Sequence, residues 1–178
     1  MKTFKTILAA CLLFIAVGAT AQNDKDKKIM ADAEKAKATL IAEDPGLQQH
    51  FDNASGYVIF PNVGKGGFII GGATGNGVLF ENGTAVVMAD LKKLNVGLQA
   101  GGQAIIEVIF FETDAALDNF KKGNFAFSAE ASAVLANEGK SKDANYKDGV
   151  MVFALPKAGL MADASVGGQK FGYTPFAQ

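Results

Sequence analysis

The sequence predicts an α+β fold. An N-terminal amphipathic helix, or a pair of helices, precedes a mostly antiparallel, glycine-rich curved sheet or partial β-barrel with a short inserted helix. Apolar side chains recur at helical spacing in residues 24–43, which indicates the helix. After Gly56 the pattern changes to short apolar runs separated by turn residues, which is typical of strands. The chain also contains 21 glycines, which curved sheets use for bulges and close strand packing.

Residues 1–21 have the layout of a cleavable secretory signal peptide. Lys2 and Lys5 supply the positive start, and residues 7–17 form an apolar run that is short for a bilayer span. Ala19 and Ala21 give the small-x-small pattern of a cleavage site, so cleavage is expected after Ala21. The protein is therefore expected to be exported, periplasmic or secreted, and peripheral to a membrane.

Cys11 supports an alternative reading of the same segment. It follows Leu8-Ala9-Ala10 as in a lipoprotein box, but the apolar run continues beyond it, whereas a lipobox should close that run. Lipidation at Cys11 and an uncleaved anchor therefore remain the alternatives. If Cys11 leaves with the signal peptide, the mature chain has no thiol for disulfides, nucleophilic catalysis or metal binding.

The remaining residues, 22–178, are expected to form a single domain. Losing Lys2 and Lys5 changes 17 basic residues against 18 acids to 15 against 18, a net charge of about −3 on that count. The chain contains no arginine, so it has no bidentate guanidinium group for phosphate. An acidic chain without arginine is not expected to bind nucleic acid.

The N-terminal half predicts two helices and a hairpin. Residues 24–43 carry an apolar stripe, Asp44-Pro45-Gly46 ends that helix, and a short second helix or turn covers residues 47–51. A strand at residues 57–60 is expected to end at Pro61, and residues 68–70 form another short apolar run. The hairpin is predicted from residues 78–80 and 84–89, which flank the turn residues Asn82-Gly83.

The C-terminal half begins with an almost entirely apolar segment, residues 105–111, expected to be a central strand. Thr113 or Asp114 can cap a short helix through residue 120, and Gly123 can close it. Residues 125–130 alternate with period two, and residues 140–148 are expected to be a polar loop. The closing strands are predicted at residues 150–155, 159–165 and 170–173.

Few residues suggest catalysis or metal binding. The glycine-rich stretch 64–77 lacks the Gly-Lys-Ser/Thr ending of a P-loop, and we interpret its glycines as structural. His50 is the single histidine and is expected at a surface or helix end, because no ligand spacing supports zinc and no Gly-x-Ser-x-Gly motif supports a hydrolase. Glu107 is expected to face solvent from a one-sided sheet, with a buried, tuned carboxyl group as the alternative. We therefore expect no enzyme, no catalytic residue, no metal and no cofactor.

The first helix suggests a membrane surface instead. Five lysines accompany its apolar stripe: Lys25, Lys27, Lys28, Lys35 and Lys37. Long lysine side chains can reach anionic headgroups while the apolar residues insert between lipids. The simpler interpretation is a helix packed on the sheet with a solvated face of mixed charge, because several acids lie between the lysines.

Several motifs together resemble the SYLF domain, a family of lipid-binding domains with actin-regulating members in eukaryotes. The motif Gly-Tyr-Val-Ile-Phe-Pro-Asn-Val-Gly-Lys-Gly-Gly-Phe occupies residues 56–68, and Leu-Asn-Val-Gly-Leu-Gln-Ala-Gly-Gly-Gln occupies residues 94–103. Shorter matches continue the order, at residues 109–111, 123–125, 159–161 and 165–171. The resemblance covers about residues 35–173.

The resemblance implies a phospholipid or membrane-surface partner, with no catalysis and no metal. It makes Lys65, inside the first motif, a candidate lipid contact. This exported chain resembles a bacterial member, for which actin is not an expected partner. A structural or protein-interaction domain of the envelope is the alternative function, with an envelope protein as the partner, and a hydrolase using His50 is a third hypothesis.

Overall fold

The computed structural model describes residues 24–64, 73–93, 104–123, 134–135, 139–157 and 169–175. The described part of the first helix, α1, runs from residue 24 to residue 43, and its end at residue 43 is the one that the apolar spacing predicts. Asp44-Pro45-Gly46 follows as a break, and α2 covers Leu47–Asn53. The predicted apolar segments at residues 68–70, 125–130 and 159–165 lie outside the described residues.

In the described ranges, seven strands form one sheet, in the spatial order β5-β6-β4-β1-β2-β3-β7. Their bounds are β1 Gly56–Gly64, β2 Ala73–Glu81, β3 Thr84–Lys93, β4 Ile105–Phe111, β5 Val134–Leu135, β6 Val150–Pro156 and β7 Gln169–Pro175. Neighbouring strands are antiparallel, except for β5, which runs parallel to β6. Helix α3, Asp114–Lys121, is inserted after β4, so the predicted α+β class with an open, mostly antiparallel sheet is confirmed.

The predicted turn and cap residues have the expected conformations. Asn82 and Gly83 have φ of 50° and 75°, the left-handed pair that a tight hairpin between β2 and β3 requires. The side-chain oxygen of Thr113 accepts a hydrogen bond from the Ala116 N–H at 3.3 Å and so caps α3. Gly123 follows the helix with φ of 69°, which permits the turn that ends it. The expected polar loop at 140–148 begins with a 3₁₀ helix, Lys140–Asp143.

The predicted end of the first strand at Pro61 is wrong, because β1 continues through Gly64. Proline has no N–H to give to a sheet, so it is tolerated inside a strand where the pairing is interrupted. The pairing of β1 shifts on both sides of Pro61, between Ile59 and Asn62 against β2 and between Phe60 and Val63 against β4. This double irregularity accommodates Pro61 in the central strand of the sheet.

The sheet buries apolar side chains on both faces. The helix-covered face packs against α1 and α2, and its strand residues are Tyr57, Ile59, Val78, Phe80, Met88, Ile106, Val108, Phe110, Met151 and Phe153. The α3 face packs against α3, and its strand residues include Val58, Phe60, Leu79, Val87, Leu91, Ile109, Phe111 and Val152. Consecutive residues of each strand therefore contribute to different cores, as strand geometry requires.

Glu107 is buried, with 0% of its surface exposed, which contradicts its predicted solvent exposure. It lies opposite Phe60 of β1 and Ala154 of β6, two residues of the α3 face. The prediction assumed that one face of the sheet is exposed to solvent. Because both faces of this sheet are covered, a residue in the middle of β4 is buried whichever face its side chain points to.

Gly77 shows why glycine is needed in β2. A Cβ atom at this position would lie 2.4 Å from the Ile59 carbonyl oxygen and 2.6 Å from the Phe60 ring. The backbones of β1 and β2 therefore approach too closely here for any side chain, which agrees with the structural interpretation of this glycine-rich stretch.

Candidate functional site

Helix α1 packs its apolar stripe on the sheet. Ala33, Ala36 and Leu40 are buried, with 0%, 4% and 0% of their surface exposed, and Ile29 is partly buried beside them. The apolar side chains that could insert into a lipid bilayer are thus part of the protein core in this conformation. This arrangement agrees with the simpler interpretation of the sequence, in which the helix packs on the sheet and its charged face is turned toward solvent.

Four of the predicted lysines are exposed on α1, namely Lys25, Lys27, Lys28 and Lys35. Among the described residues, their ammonium groups make no hydrogen bond or ion pair, so they are available to an external partner. Lys65, the candidate outside α1, lies outside the described residues. Helix α1 carries five lysines and five acids in total, so its net charge is zero and any attraction to an anionic surface depends on the arrangement of the charges.

Lys37 differs from the other helix lysines, because its ammonium group is engaged inside the protein. It donates a hydrogen bond to the Tyr57 hydroxyl at 3.0 Å. The same Nζ atom lies 4.8 Å from the centroid of the Phe51 ring and 5.1 Å from that of Tyr57, both within cation–π range. Lys37 therefore joins α1 to α2 and β1 and does not belong with the free lysines.

Asp44, His50 and Ser141 form a polar clasp between the α1–α2 corner and the 3₁₀ helix. One carboxylate oxygen of Asp44 accepts the Ser141 backbone N–H at 2.8 Å, and the other accepts the Gly46 N–H at 3.0 Å. His50 Nε2 lies 3.1 Å from the Ser141 carbonyl oxygen. The clasp joins residues 97 positions apart in the chain, and the sequence offered no spacing signal that could have revealed it.

Burial alone would raise the pKa of Asp44, but hydrogen bonds from Ser141 and Gly46 outweigh it and hold the pKa below its usual value. Asp44 therefore acts as an ionised acceptor with 1% of its surface exposed. A carboxylate in this state satisfies backbone donors that would otherwise be buried without a partner.

The clasp brings a serine, a histidine and an aspartate together, yet the arrangement is not that of a hydrolase. A carbonyl oxygen can only accept, so His50 Nε2 carries a hydrogen and donates a hydrogen bond to the Ser141 carbonyl oxygen. In a catalytic triad the histidine instead receives the serine proton, and the aspartate orients the histidine. Here Asp44 binds main-chain N–H groups, and Ser141 is 1% exposed, so these contacts secure the fold.

The His50 ring belongs to the helix-covered core as well as to the clasp. Its centroid lies 5.8 Å from that of Phe110, 5.9 Å from Phe153 and 6.4 Å from Tyr146. The predicted helix-end position is correct, since His50 lies in the last turn of α2. The ring is only partly exposed because the strands below and Tyr146 beside it enclose it.

An open depression of about 700 Å³ borders the clasp, lined by His50, Gln48, Asp52, Lys142 and neighbouring residues. Within the described ranges, no group of three or more histidine, cysteine or acidic side chains is placed to hold a metal ion. The helices that the structure describes are too short or too polar to cross a membrane. The lipid contacts predicted at the α1 lysines remain a prediction.

Comparison with known families identifies the C-terminal part of the chain. Residues 92–173 match the family model Ysc84, described as Las17-binding protein actin regulator. Over these residues the chain is similar to the Ysc84, or SYLF, family. The family resemblance that the sequence motifs predicted is thereby confirmed. SYLF domains are non-enzymatic binding domains, and membership supports a lipid-binding or actin-regulator-like domain.

A curated bacterial relative supports the same assignment. The chain is 29% identical over 141 residues to beta cell expansion factor A of Aeromonas veronii, another SYLF-family protein. The aligned region covers 78% of this chain and 53% of the relative, so the chain spans about half the length of the curated relative it matches. The match to the family model begins at residue 92, near the end of β3, so all the candidate lysines lie before it.

Proposed function

We propose that this SYLF protein is a non-enzymatic phospholipid-binding domain of the bacterial cell envelope. The observation that carries the proposal is the SYLF match over residues 92–173, because the family binds lipids or other proteins. The export-type segment at residues 1–21 supports an envelope location, where the available surface is a membrane. Actin is not proposed as a partner.

The exposed lysines of α1 are the proposed headgroup contacts. Lys27, Lys28 and Lys35 project from the side of the helix that faces away from the buried stripe. A lysine close to an anionic membrane surface contributes about 1 kcal/mol, and salt screens this attraction. Because acids of α1 offset part of that attraction, we expect weak, salt-sensitive binding, to which Lys65 could add a further cation.

Flotation with vesicles containing phosphatidylglycerol tests the electrostatic proposal. Changing Lys25, Lys27, Lys28 and Lys35 together to Glu should weaken binding at least about tenfold, from the loss of about 1 kcal/mol per lysine near the surface. The matched control changes four exposed lysines outside α1 to Glu, at Lys92, Lys122, Lys140 and Lys142. Equal loss in both variants would show that only net charge matters, and absence of wild-type binding at low salt would reject the proposal.

Single tryptophans show which side of α1 meets the lipid, since the chain has no native tryptophan. Ala38→Trp places the probe on the exposed side, and Met30→Trp places it at the partly buried edge of the stripe. If α1 stays docked, brominated lipids should quench the fluorescence of Ala38→Trp more strongly than that of Met30→Trp. The reverse order would show that the apolar stripe leaves the sheet and enters the bilayer.

A protein-interaction domain of the envelope is the second candidate function. The buried stripe and the zero net charge of α1 favour it, because both reduce the attraction of this helix for lipid. This candidate predicts that the Lys→Glu variant of α1 behaves like wild type in flotation.

A further inference from the structure

The ammonium group of Lys37 occupies a bracket made of two aromatic rings. The bracket consists of Phe51 of α2 and Tyr57 of β1, whose ring centroids lie 4.9 Å apart with their planes at 81°. Two nearly perpendicular rings present two surfaces of negative potential to one position, which suits a cation. Lys37 Nζ takes this position, at 4.8 Å and 5.1 Å from the two centroids.

Both rings are fixed by the core beneath them. Tyr57 stacks on Phe80, with centroids 5.1 Å apart and planes at 17°. Phe51 meets Phe110 edge to face at 4.8 Å and 69°. Phe51 is 5% exposed and Tyr57 is 2% exposed with Lys37 in place, so the core holds both rings and Lys37 must move before a ligand can reach them. A preformed site loses little conformational entropy when a ligand enters it.

Lys37 itself is a replaceable occupant. Its side chain is only partly buried, and its single hydrogen bond within the described residues goes to the Tyr57 hydroxyl. A primary ammonium is strongly hydrated, so it recovers much of this interaction when it returns to water. A quaternary ammonium cannot donate hydrogen bonds, and aromatic surfaces are its usual protein partners.

We propose that Phe51 and Tyr57 form a binding site for a quaternary ammonium group, which Lys37 fills in the free protein. The ligand class is choline, either free or as the headgroup of a lipid. The lipid form rests on the proposed function, since it would give the domain a headgroup preference beyond negative charge. In this arrangement, binding of choline displaces Lys37 toward solvent and frees one more positive charge on α1.

NMR titration of the full mature chain with choline chloride tests the site, with sodium chloride at equal ionic strength as the control. Removing the internal competitor in Lys37→Ala should tighten choline binding about threefold or more, in line with the usual strength of a cation–π contact. Nuclear Overhauser contacts should connect the choline methyl groups to the Phe51 and Tyr57 rings. A folded Lys37→Ala variant whose ring signals do not respond to choline would overturn the proposal.

Two further variants in the Lys37→Ala background distinguish the contribution of the aromatic rings to choline binding from that of the Tyr57 hydroxyl. Tyr57→Phe keeps the ring and should preserve choline binding, whereas Phe51→Leu removes one wall and should weaken it about threefold or more. Equal loss in both variants would contradict the two-wall site. If Phe51→Leu does not fold, the Overhauser contacts in Lys37→Ala decide the question, since a non-specific cation effect produces none.

Vesicles distinguish the two sources of choline. If the lipid headgroup is the ligand, a larger fraction of the Lys37→Ala variant should float with uncharged phosphatidylcholine vesicles than with phosphatidylethanolamine vesicles. Binding of free choline without this preference supports a site for soluble choline. Binding to anionic vesicles without any choline contact would reject the bracket while leaving the proposed lipid-binding function intact.

Discussion

Both faces of the sheet bury apolar side chains, but the polar groups beside those side chains differ between the faces. On the helix-covered face, aromatic rings lie next to polar groups, and Lys37, Asp44 and His50 tie α1 and α2 to the rest of the fold. On the α3 face, α3 packs through Leu117 and Phe120, and Glu107 is buried among the strands. The contacts that suggest binding are therefore concentrated on one face, while both faces provide stability.

The largest expected effect comes from the adjacent residues Phe110 and Phe111, which point to opposite faces and are each 0% exposed. Replacing either by Ala should lower the free energy of unfolding by about 3–5 kcal/mol, measured by urea denaturation. Only Phe110→Ala removes a ring that contacts Phe51 and His50, so only this variant should speed amide hydrogen exchange in α2. Equal amide exchange rates of α2 in the two variants would show that α2 does not depend specifically on the face to which Phe110 belongs.

A smaller effect is expected at the clasp. Asp44→Asn weakens the acceptor of two backbone N–H groups, so it should cost about 1–3 kcal/mol at pH 7. The folded state lowers the pKa of Asp44, so its stabilisation is present above the unfolded value near 3.8 and is lost as pH falls below it. The difference between wild type and Asp44→Asn should therefore shrink below about pH 4. A difference that stays constant down to pH 2 would show that the charge of Asp44 is not involved.

The smallest effect is expected on the α3 face, where Lys121 of α3 meets Glu81 of β2 at 2.5 Å. Both side chains are about one-quarter exposed, so solvent and salt screen the pair. Lys121→Ala should cost no more than about 1 kcal/mol, and 1 M salt should reduce that cost. The control is Lys122→Ala, at an exposed neighbouring position, and thermal unfolding of both variants should separate the pair from general charge effects.

Local rules of the sequence were sufficient for much of this fold. The end of α1 follows from its apolar spacing and the Asp44-Pro45-Gly46 break, and Asn82-Gly83 specifies the β2–β3 hairpin. The sequence was less informative about strand lengths, because these depend on pairing with neighbouring strands. The predicted strand at residues 84–89 is shorter than β3, because residues 90–93 are polar enough to resemble a loop but pair with β7.

The candidate site was less predictable than the fold, for the same reason. Composition and helical spacing identify the lysines of α1, but they cannot show that Lys37 turns inward to Tyr57 while its neighbours remain exposed. The clasp joins Asp44 to Ser141 across most of the chain, and no local motif encodes such a contact. The bracket is similarly hidden, since Phe51 and Tyr57 belong to different elements and each resembles an ordinary core residue.

The strand order has a consequence for how the protein is made. Strand β7 pairs with β3 at one edge of the described sheet, whereas β6 lies near the opposite edge. During synthesis, the outer edge of β3 therefore stays unpaired until residues 169–175 have been made. An unpaired edge is a template for association with other chains, and such distant pairing is slow to form. Truncation before Gln169 should thus produce aggregation through β3 rather than a slightly smaller soluble domain.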